Sequence, residues 1–308
     1  MAQLVTSGYL TLDDLVLADG RVLREVMGGG ALYSAAGARV WADQVGIHAC
    51  TGGDYPGRHL ERLRAAGIDL AGLAAGPERS LKLWLLEEDG QRKQQLPKLT
   101  SARIEELDAA RPPLPGQFAG ARGFHVATSL PDTQAAAVRA VKRAVPGAVV
   151  TLDIWTESFF PIERYRETGF LAGVDAFLPS DKEVETLWGL RDVRETLRAL
   201  VRLGPRLVAI KRGADGAVVF DGESGVLWSI PAVAIDPVDT IGAGDAWCGG
   251  FLAGLVATGD PLEAGLRGAV SASFAIQGHG AEACLFADPA EAQQRLDRLR
   301  PLARREVA

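Results

Sequence analysis

Asp239-Thr240-Ile241-Gly242-Ala243-Gly244-Asp245-Ala246-Trp247-Cys248-Gly249-Gly250-Phe251 is the stretch on which the reading of this chain turns. A short apolar segment, residues 233–238, leads into a glycine-rich turn. The turn carries one acid, Asp245, and runs into small and apolar residues 246–257 that predict a buried helix. A helix that begins among glycines offers unsatisfied backbone N–H groups and the positive end of its dipole. That is an anion site, and phosphate is its usual guest. A carboxylate in the first turn is placed to take a proton from a hydroxyl approaching a bound phosphoryl group. Anion cradle and adjacent base are what phosphoryl transfer to an alcohol needs. Taken alone, the same residues also describe a plain turn before a core helix, with Asp245 favoured by the dipole.

Outward from this turn, short apolar runs alternate with helical ones. The pattern predicts strands at 4–8, 45–50, 123–126, 149–153, 176–178, 207–211 and 217–220. It predicts helices at 30–41, 57–66, 132–144, 181–188, 193–203, 244–258 and 261–277. Such alternation implies right-handed βαβ units and a mostly parallel sheet covered on both faces, in one domain spanning 1–308. Two hairpin patterns interrupt it: 12–17 with 22–27 around Asp19-Gly20, and 81–87 with 92–96 around Asp89-Gly90. Neither is stable alone, so they are expected to pair into one small sheet, over about 9–27 and 80–97. The alternative is two ordinary surface hairpins. The Pro-rich stretch 111–116 reads as a loop.

Composition narrows the function. With 308 residues, 47% of them hydrophobic, a sizeable core can form. A formal net charge of −6 demands no basic face, so nucleic acid is a poor partner. Cys50, Cys248 and Cys284 form no C-x-x-C pair, and a disulfide framework is not expected. The first ten residues lack the features of a secretory signal, and no apolar run is long enough for a bilayer, which suggests a cytoplasmic protein with no membrane partner. The four histidines show no metal-ligand spacing. No G-x-x-x-x-G-K-[ST] occurs, and no G-x-G-x-x-G follows the first strand, which argues against a Walker nucleotide site and a dehydrogenase.

Asp239-Thr240-Ile241-Gly242-Ala243-Gly244-Asp245 resembles the D-T-x-G-A-G-D signature of the ribokinase-like (PfkB) carbohydrate kinases. Other segments fall in that family's order: 8–13 as the first strand and sugar acid, 28–35 as G-G-x-x-x-N-x-A, and Gly52-Gly53-Asp54 with Pro56-Gly57 as G-x-D-x-x-G. Pro179-Ser180-Asp181-Lys182-Glu183 resembles P-N-x-x-E, Lys211 to Ala217 resembles K/T-x-G-x-x-G, and Gly280-Ala281 stands at the nucleotide-side loop. The resemblance spans nearly the whole chain. It implies a three-layer α/β/α sandwich with a β-sheet lid, which in this family often meets its twin in a homodimer. It also implies ATP-dependent phosphorylation of a hydroxyl, usually a primary alcohol, of a small sugar.

Residue by residue, the resemblance implies Asp245 as general base and Gly242, Ala243 and Gly244 as the anion hole. Asp13, Gly28, Gly29 and Tyr33 would bind the sugar, with Asp14 leaving the register open by one residue. Ser180, Lys211, Gly213, Gly216 and Gly280 would line the nucleotide, although Gly213 and Gly216 also fit a simple hairpin turn. Glu183 would hold Mg2+ through water; it also reads as a solvated first-turn acid. Asp239 would help hold K+, or cap the turn. Ser180 and Tyr33 each replace an asparagine usual in the family, so metal binding and the sugar pocket should differ from those of a typical ribokinase. A nucleoside kinase of the same fold, or a non-catalytic sensor of sugar or nucleotide, are the alternatives. Arg92 and Lys93 are candidates to meet an acidic substrate. The basic tail 295–305 reads as an exposed helix and its frayed end.

Overall fold

The computed structural model describes residues 2–88, 92–156, 162–167, 169–190 and 192–307. In chain order the strands are β1 (Leu4–Tyr9), β2 (Thr11–Val16), β3 (Val22–Gly28), β4 (Val45–Thr51), β5 (Ile68–Ala75), β6 (Leu81–Glu88), β7 (Arg92–Pro97), β8 (Gly123–Val126), β9 (Val149–Leu152), β10 (Ala176–Phe177), β11 (Leu207–Lys211), β12 (Ala217–Asp221), β13 (Val226–Ile230) and β14 (Arg304–Val307). The helices are α1 (Gly30–Arg39), α2 (Gly57–Ala65), α3 (Ile104–Ala109), α4 (Pro131–Ala144), α5 (Asp181–Trp188), α6 (Val193–Val201), α7 (Ala243–Thr258), α8 (Pro261–Ala275), α9 (Glu282–Leu285) and α10 (Pro289–Leu299).

Ten strands form one sheet in the order β14-β13-β12-β11-β10-β9-β8-β1-β4-β5. From β5 to β11 every neighbouring pair is parallel, and β12, β13 and β14 continue it antiparallel. The strands are apolar on both faces because both are covered. Along β11, Leu207 and Ala209 enter the core shared with α1, α7, α8 and α10, while Val208 and Ile210 enter the core under α4, α5 and α6. Period-2 alternation thus splits one apolar run between two cores.

Helix α7 is buried from Ala246 to Leu255. Its glycines decide how close its neighbours come. A Cβ on Gly249 would overlap the Ser34 carbonyl of α1, one on Gly37 would overlap the Ala246 carbonyl, and one on Gly254 would crowd Ala264 of α8. Backbone-to-backbone packing therefore fixes the first turn of α7 against α1.

The two hairpins do pair, giving a second sheet in the order β3-β2-β6-β7. β2 meets β6 in parallel, and each pairs its own partner antiparallel. The Asp19-Gly20 turn closes with Leu17 N–H donating to Arg21 O at 2.9 Å. The Asp89-Gly90 turn and the side chains of Arg92 and Lys93 lie outside the described residues. Leu15, Leu81, Leu83 and Leu85 pack under this sheet with Leu107 of α3.

Residues 233–238 lead into the turn without regular structure and border a cleft. One expectation is corrected. The basic tail is not frayed. Arg295 is 6% exposed and donates to Ser273 Oγ (2.8 Å) and Gln277 Oε1 (2.7 Å), and β14 pairs with β13. β5 and α3 carry no clean periodicity and escaped the sequence reading.

Candidate active site

A cleft of about 1170 Å³ opens beyond the carboxyl ends of β1, β9, β10 and β11, beneath the small sheet. Ligands of parallel sheets lie at those ends as a rule.

At one end, Gly242 caps α7 with φ +74°, a conformation that glycine adopts without strain. A side chain there would also overlap the Tyr33 ring. Ala243 N–H donates back to Thr240 O at 3.3 Å and Ala246 N–H to Gly242 O at 2.8 Å. The N–H groups of Gly244 and Asp245 lie in the first turn, where intrahelical acceptors do not exist. Asp245 Oδ1 is buried and has no hydrogen-bond partner among the described residues. A Cβ on Gly30 would meet this oxygen and Thr128 Oγ1, so the third glycine of the Gly28-Gly29-Gly30 triplet clears the space around Asp245. Burial, then the charge of Asp153, push the Asp245 carboxyl up to about 7, with Lys211 partly offsetting them.

Lys211, at the end of β11, is buried and paired with Asp153. Its Nζ also lies 3.4 Å from Cys248 Sγ. Burial alone would lower the Lys211 ammonium; Asp153, Cys248 and Glu183 outweigh it and hold the group charged. Ser180 caps α5, accepting from Glu183 N–H at 3.3 Å, while Glu183 Oε2 accepts from Ser180 N–H at 2.6 Å. This capping box uses the serine that stands at the family's asparagine. Glu183 is not the solvated acid of the alternative reading: it lines the cleft, and burial and Asp153 raise its carboxyl. Ser180 is bridged to Lys211. Gly213 and Gly216 line the same region, in the turn joining the antiparallel pair β11–β12. Among the described residues no three metal-binding side chains converge. Asp153 and Glu183 both border this end, and hard carboxylate oxygens suit an Mg2+ held chiefly by phosphates and water.

At the other end, Asp13 is buried. Its Oδ2 accepts from Thr11 Oγ1 at 2.9 Å, and its Oδ1 has no partner among the described residues. Burial pushes it up to about 7. Asp14 is buried too, not solvated, but it is neutralised by Lys98 (2.8 Å) and Arg24 (3.2 Å) and accepts from Glu25 N–H. Asp13 lines the cleft, whereas Asp14 braces the small sheet. Gly29 lines the cleft, while Gly28 sits behind it, where a Cβ would strike the Asp13 carboxylate. Tyr33 is buried with its ring under Gly242. Burial and the charges of Asp13, Asp239 and Asp245 raise its phenol well above 10, so it stays a donor.

Two expected residues lie elsewhere. Gly280 packs against Val26 of β3 and does not line the cleft. Asp239 lies behind the turn, with Oδ1 accepting from Ile241 N–H (2.9 Å) and Oδ2 facing His279 Nδ1 (3.1 Å).

Sequence reading missed two residues. Asp153 directly follows β9 and has only its place at a strand end as a signal. Asp108 of α3 accepts from Tyr9 Oη (2.8 Å), Thr133 Oγ1 (2.6 Å) and Arg111 (2.9 Å), tying β1, α3 and α4 together. No local pattern announces it.

The model of the pfkB family carbohydrate kinases matches residues 9–288. A cytidine kinase of Thermococcus kodakarensis is 29% identical, over 87% of this chain and 93% of that protein. An ATP-dependent ribose-1-phosphate kinase of Halopiger xanaduensis is also 29% identical, over 84% and 87%. A ribokinase II structure from E. coli in complex with ATP and Mg2+ superposes with a TM-score of 0.78 at 18% identity, covering 97% of this chain and all of that one. The nucleoside kinase of Methanocaldococcus jannaschii gives 0.75 at 19% identity, covering 96% and 98%. The lid-and-sandwich fold is therefore the ribokinase fold, and the chain belongs to the pfkB family of carbohydrate kinases, which are ATP-dependent phosphotransferases.

Proposed function

We propose that this protein, one kinase domain with a lid over about 9–27 and 80–97, transfers the γ-phosphoryl group of ATP to a primary hydroxyl of a small sugar. The observation that carries the reading is Asp245: a buried, unpartnered carboxylate oxygen in the first turn of a helix whose N–H groups form an anion site. Asp245 accepts the hydroxyl proton as that oxygen attacks the γ-phosphorus, and the bond to the β-phosphate oxygen breaks to leave ADP. The backbone around Gly242, Ala243 and Gly244, together with Lys211, meets the charge on the transferred group, with Ala243 contributing least because Thr240 already shares its N–H. Asp13, Gly29 and Tyr33 hold the acceptor, and Gly28 shapes Asp13 from behind. Ser180, Gly213 and Gly216 flank the nucleotide; Gly280 braces the lid.

Glu183 would hold the waters of an Mg2+ ion carried in with the phosphates, and that ion would supply charge neutralisation there. Asp239 shapes the turn through Ile241, and its engagement with His279 makes it a weak holder for K+. Free, buried cysteines agree with a cytoplasmic setting, and no described helix is long and apolar enough to cross a membrane. Exposed Val22, Leu96 and Leu99 on and beside the lid strands support a homodimer through the lid.

A nucleoside acceptor is the second reading. Beyond Asp13 the cleft continues along Leu81, Leu83 and Leu85, an apolar wall that suits a base better than a free sugar. The cytidine kinase relative points the same way.

The test is ADP release from Mg2+-ATP across sugars, sugar phosphates and nucleosides, for the native protein and Asp245→Asn. Turnover on one acceptor, lost in the variant, supports the reading and names the substrate. ATP binding without turnover on any acceptor moves the protein to the sensor alternative.

A further inference from the structure

The carboxylates of Asp153, Glu183 and Asp245 line the same end of the cleft as one buried ammonium, Lys211. A buried ammonium needs a carboxylate partner, and a partner so engaged is no longer a free base. The geometry resolves the competition. Lys211 Nζ pairs with Asp153 Oδ2, and Asp245 Oδ1 is left without a partner among the described residues.

Asp153 is itself held. Its Oδ1 accepts from Ile154 N–H at 2.9 Å, and its carbonyl accepts from Gln134 Nε2 at 2.6 Å. Its Oδ2 lies 3.5 Å from Cys248 Sγ, one turn beyond Asp245 on α7. Lys211 is also close to the catalytic turn: a Cβ on Gly244 would stand 3.7 Å from Nζ. Without Asp153, the ammonium would be left beside Asp245 Oδ1, the carboxylate oxygen of this cluster that has no partner among the described residues.

We propose that Asp153 is a positioning residue that retains the Lys211 ammonium beside the anion hole and so keeps Asp245 free to act as the base. The inference rests on the reading of Asp245 given above. The groups facing this cluster are Glu183 from α5, Cys248 from α7, Tyr33 from α1, the neutral His125 from β8 and the phenol of Tyr165 from the turn before β10. None of these is a cation that could replace Lys211 as the partner of Asp153.

The experiment is a double-mutant cycle of Asp153→Asn and Lys211→Met, with Asp245→Asn alongside, on the acceptor that the panel identifies. Asp153→Asn should lower kcat by on the order of tenfold with little change in the acceptor KM, and in the Lys211→Met background it should cost almost nothing further. The acidic limb of its kcat/KM profile should move to lower pH, because Asp245 gains an ammonium and loses a neighbouring negative charge. A merely structural role would not move that limb. Native kcat and an unmoved limb in Asp153→Asn, or losses that multiply independently in the double variant, overturn the proposal. If Asp153→Asn does not fold, the double variant removes both charges, and a kcat below that of Lys211→Met alone overturns it. Full turnover by Asp245→Asn sinks the base reading itself. An inactive Asp245→Asn beside an unaltered Asp153→Asn sinks only this inference.

Discussion

At the proposed phosphate end of the cleft, four consecutive residues, Gly242 to Asp245, supply the turn, the first-turn N–H groups and the proposed base. At the proposed acceptor end the walls come from β1, β2, β6, the segment after β7 and the loop between β8 and α4: Tyr9, Asp13, Leu81, Lys98, Leu130. The contrast fits what each end is proposed to bind. A phosphoryl group is the same in every reaction, and backbone N–H groups at a helix start recognise it without side chains. An acceptor is recognised by the placement of its hydroxyls, which takes side chains converging from several directions.

This comparison makes graded predictions. Asp245→Asn should be the most damaging change, lowering kcat on the order of 10²–10⁴-fold while acceptor affinity persists. A steady-state assay with parallel binding titration checks it; weakened binding with kcat intact would move Asp245 to the acceptor end. In the native enzyme, Asp245 must be ionised, so kcat/KM should rise with pH through about 7.

Asp13→Asn should act on the other end, raising the acceptor KM about 10–100-fold, the worth of a charged hydrogen bond, with the ATP KM unchanged. It also carries a stability signature. Burial raises the folded carboxyl from 3.8 to about 7, so between those values the folded chain keeps a proton that the unfolded chain has shed. Stability from this group is present at low pH and lost as pH rises through that window. The asparagine variant lacks that loss, so its Tm relative to the native protein should climb from pH 5 to pH 8. A flat difference would mean that Asp13 is ionised in the fold.

Tyr9→Phe should cost about 1–2 kcal/mol by removing one donor to Asp108, lowering Tm slightly and disturbing acceptor KM more than ATP KM. Equal effects on both KM values would show that the Asp108 network serves the whole sheet. The smallest effect concerns K+. With Asp239 held by Ile241 and facing His279, exchanging K+ for Na+ at constant ionic strength should leave the rate unchanged. A clear preference for K+ would restore a cation role to Asp239.

Legibility in the sequence tracked the same divide. Residues 239–251 could be read as turn, anion site and buried helix because every group involved is local in the chain. β11 and β12 were legible because burial on both faces leaves an unbroken apolar run. The tail misled because the burial of Arg295 depends on α8, which its own sequence does not mention. Gly280 shared a motif position with the nucleotide loop, but packing set it against Val26.

The sequence by itself determined the α/β order, the pairing potential of the two hairpins and the glycine-rich turn before a buried helix, since each rests on period, turn chemistry or adjacent residues. Tertiary structure alone decided which of Asp13 and Asp14 faces the cleft, that Lys211 pairs with Asp153, and that Asp108 ties β1 to α3 and α4. Those outcomes depend on contacts between residues 58 and 99 positions apart, and on which charged groups share a space closed to water, so only the assembled fold fixes them.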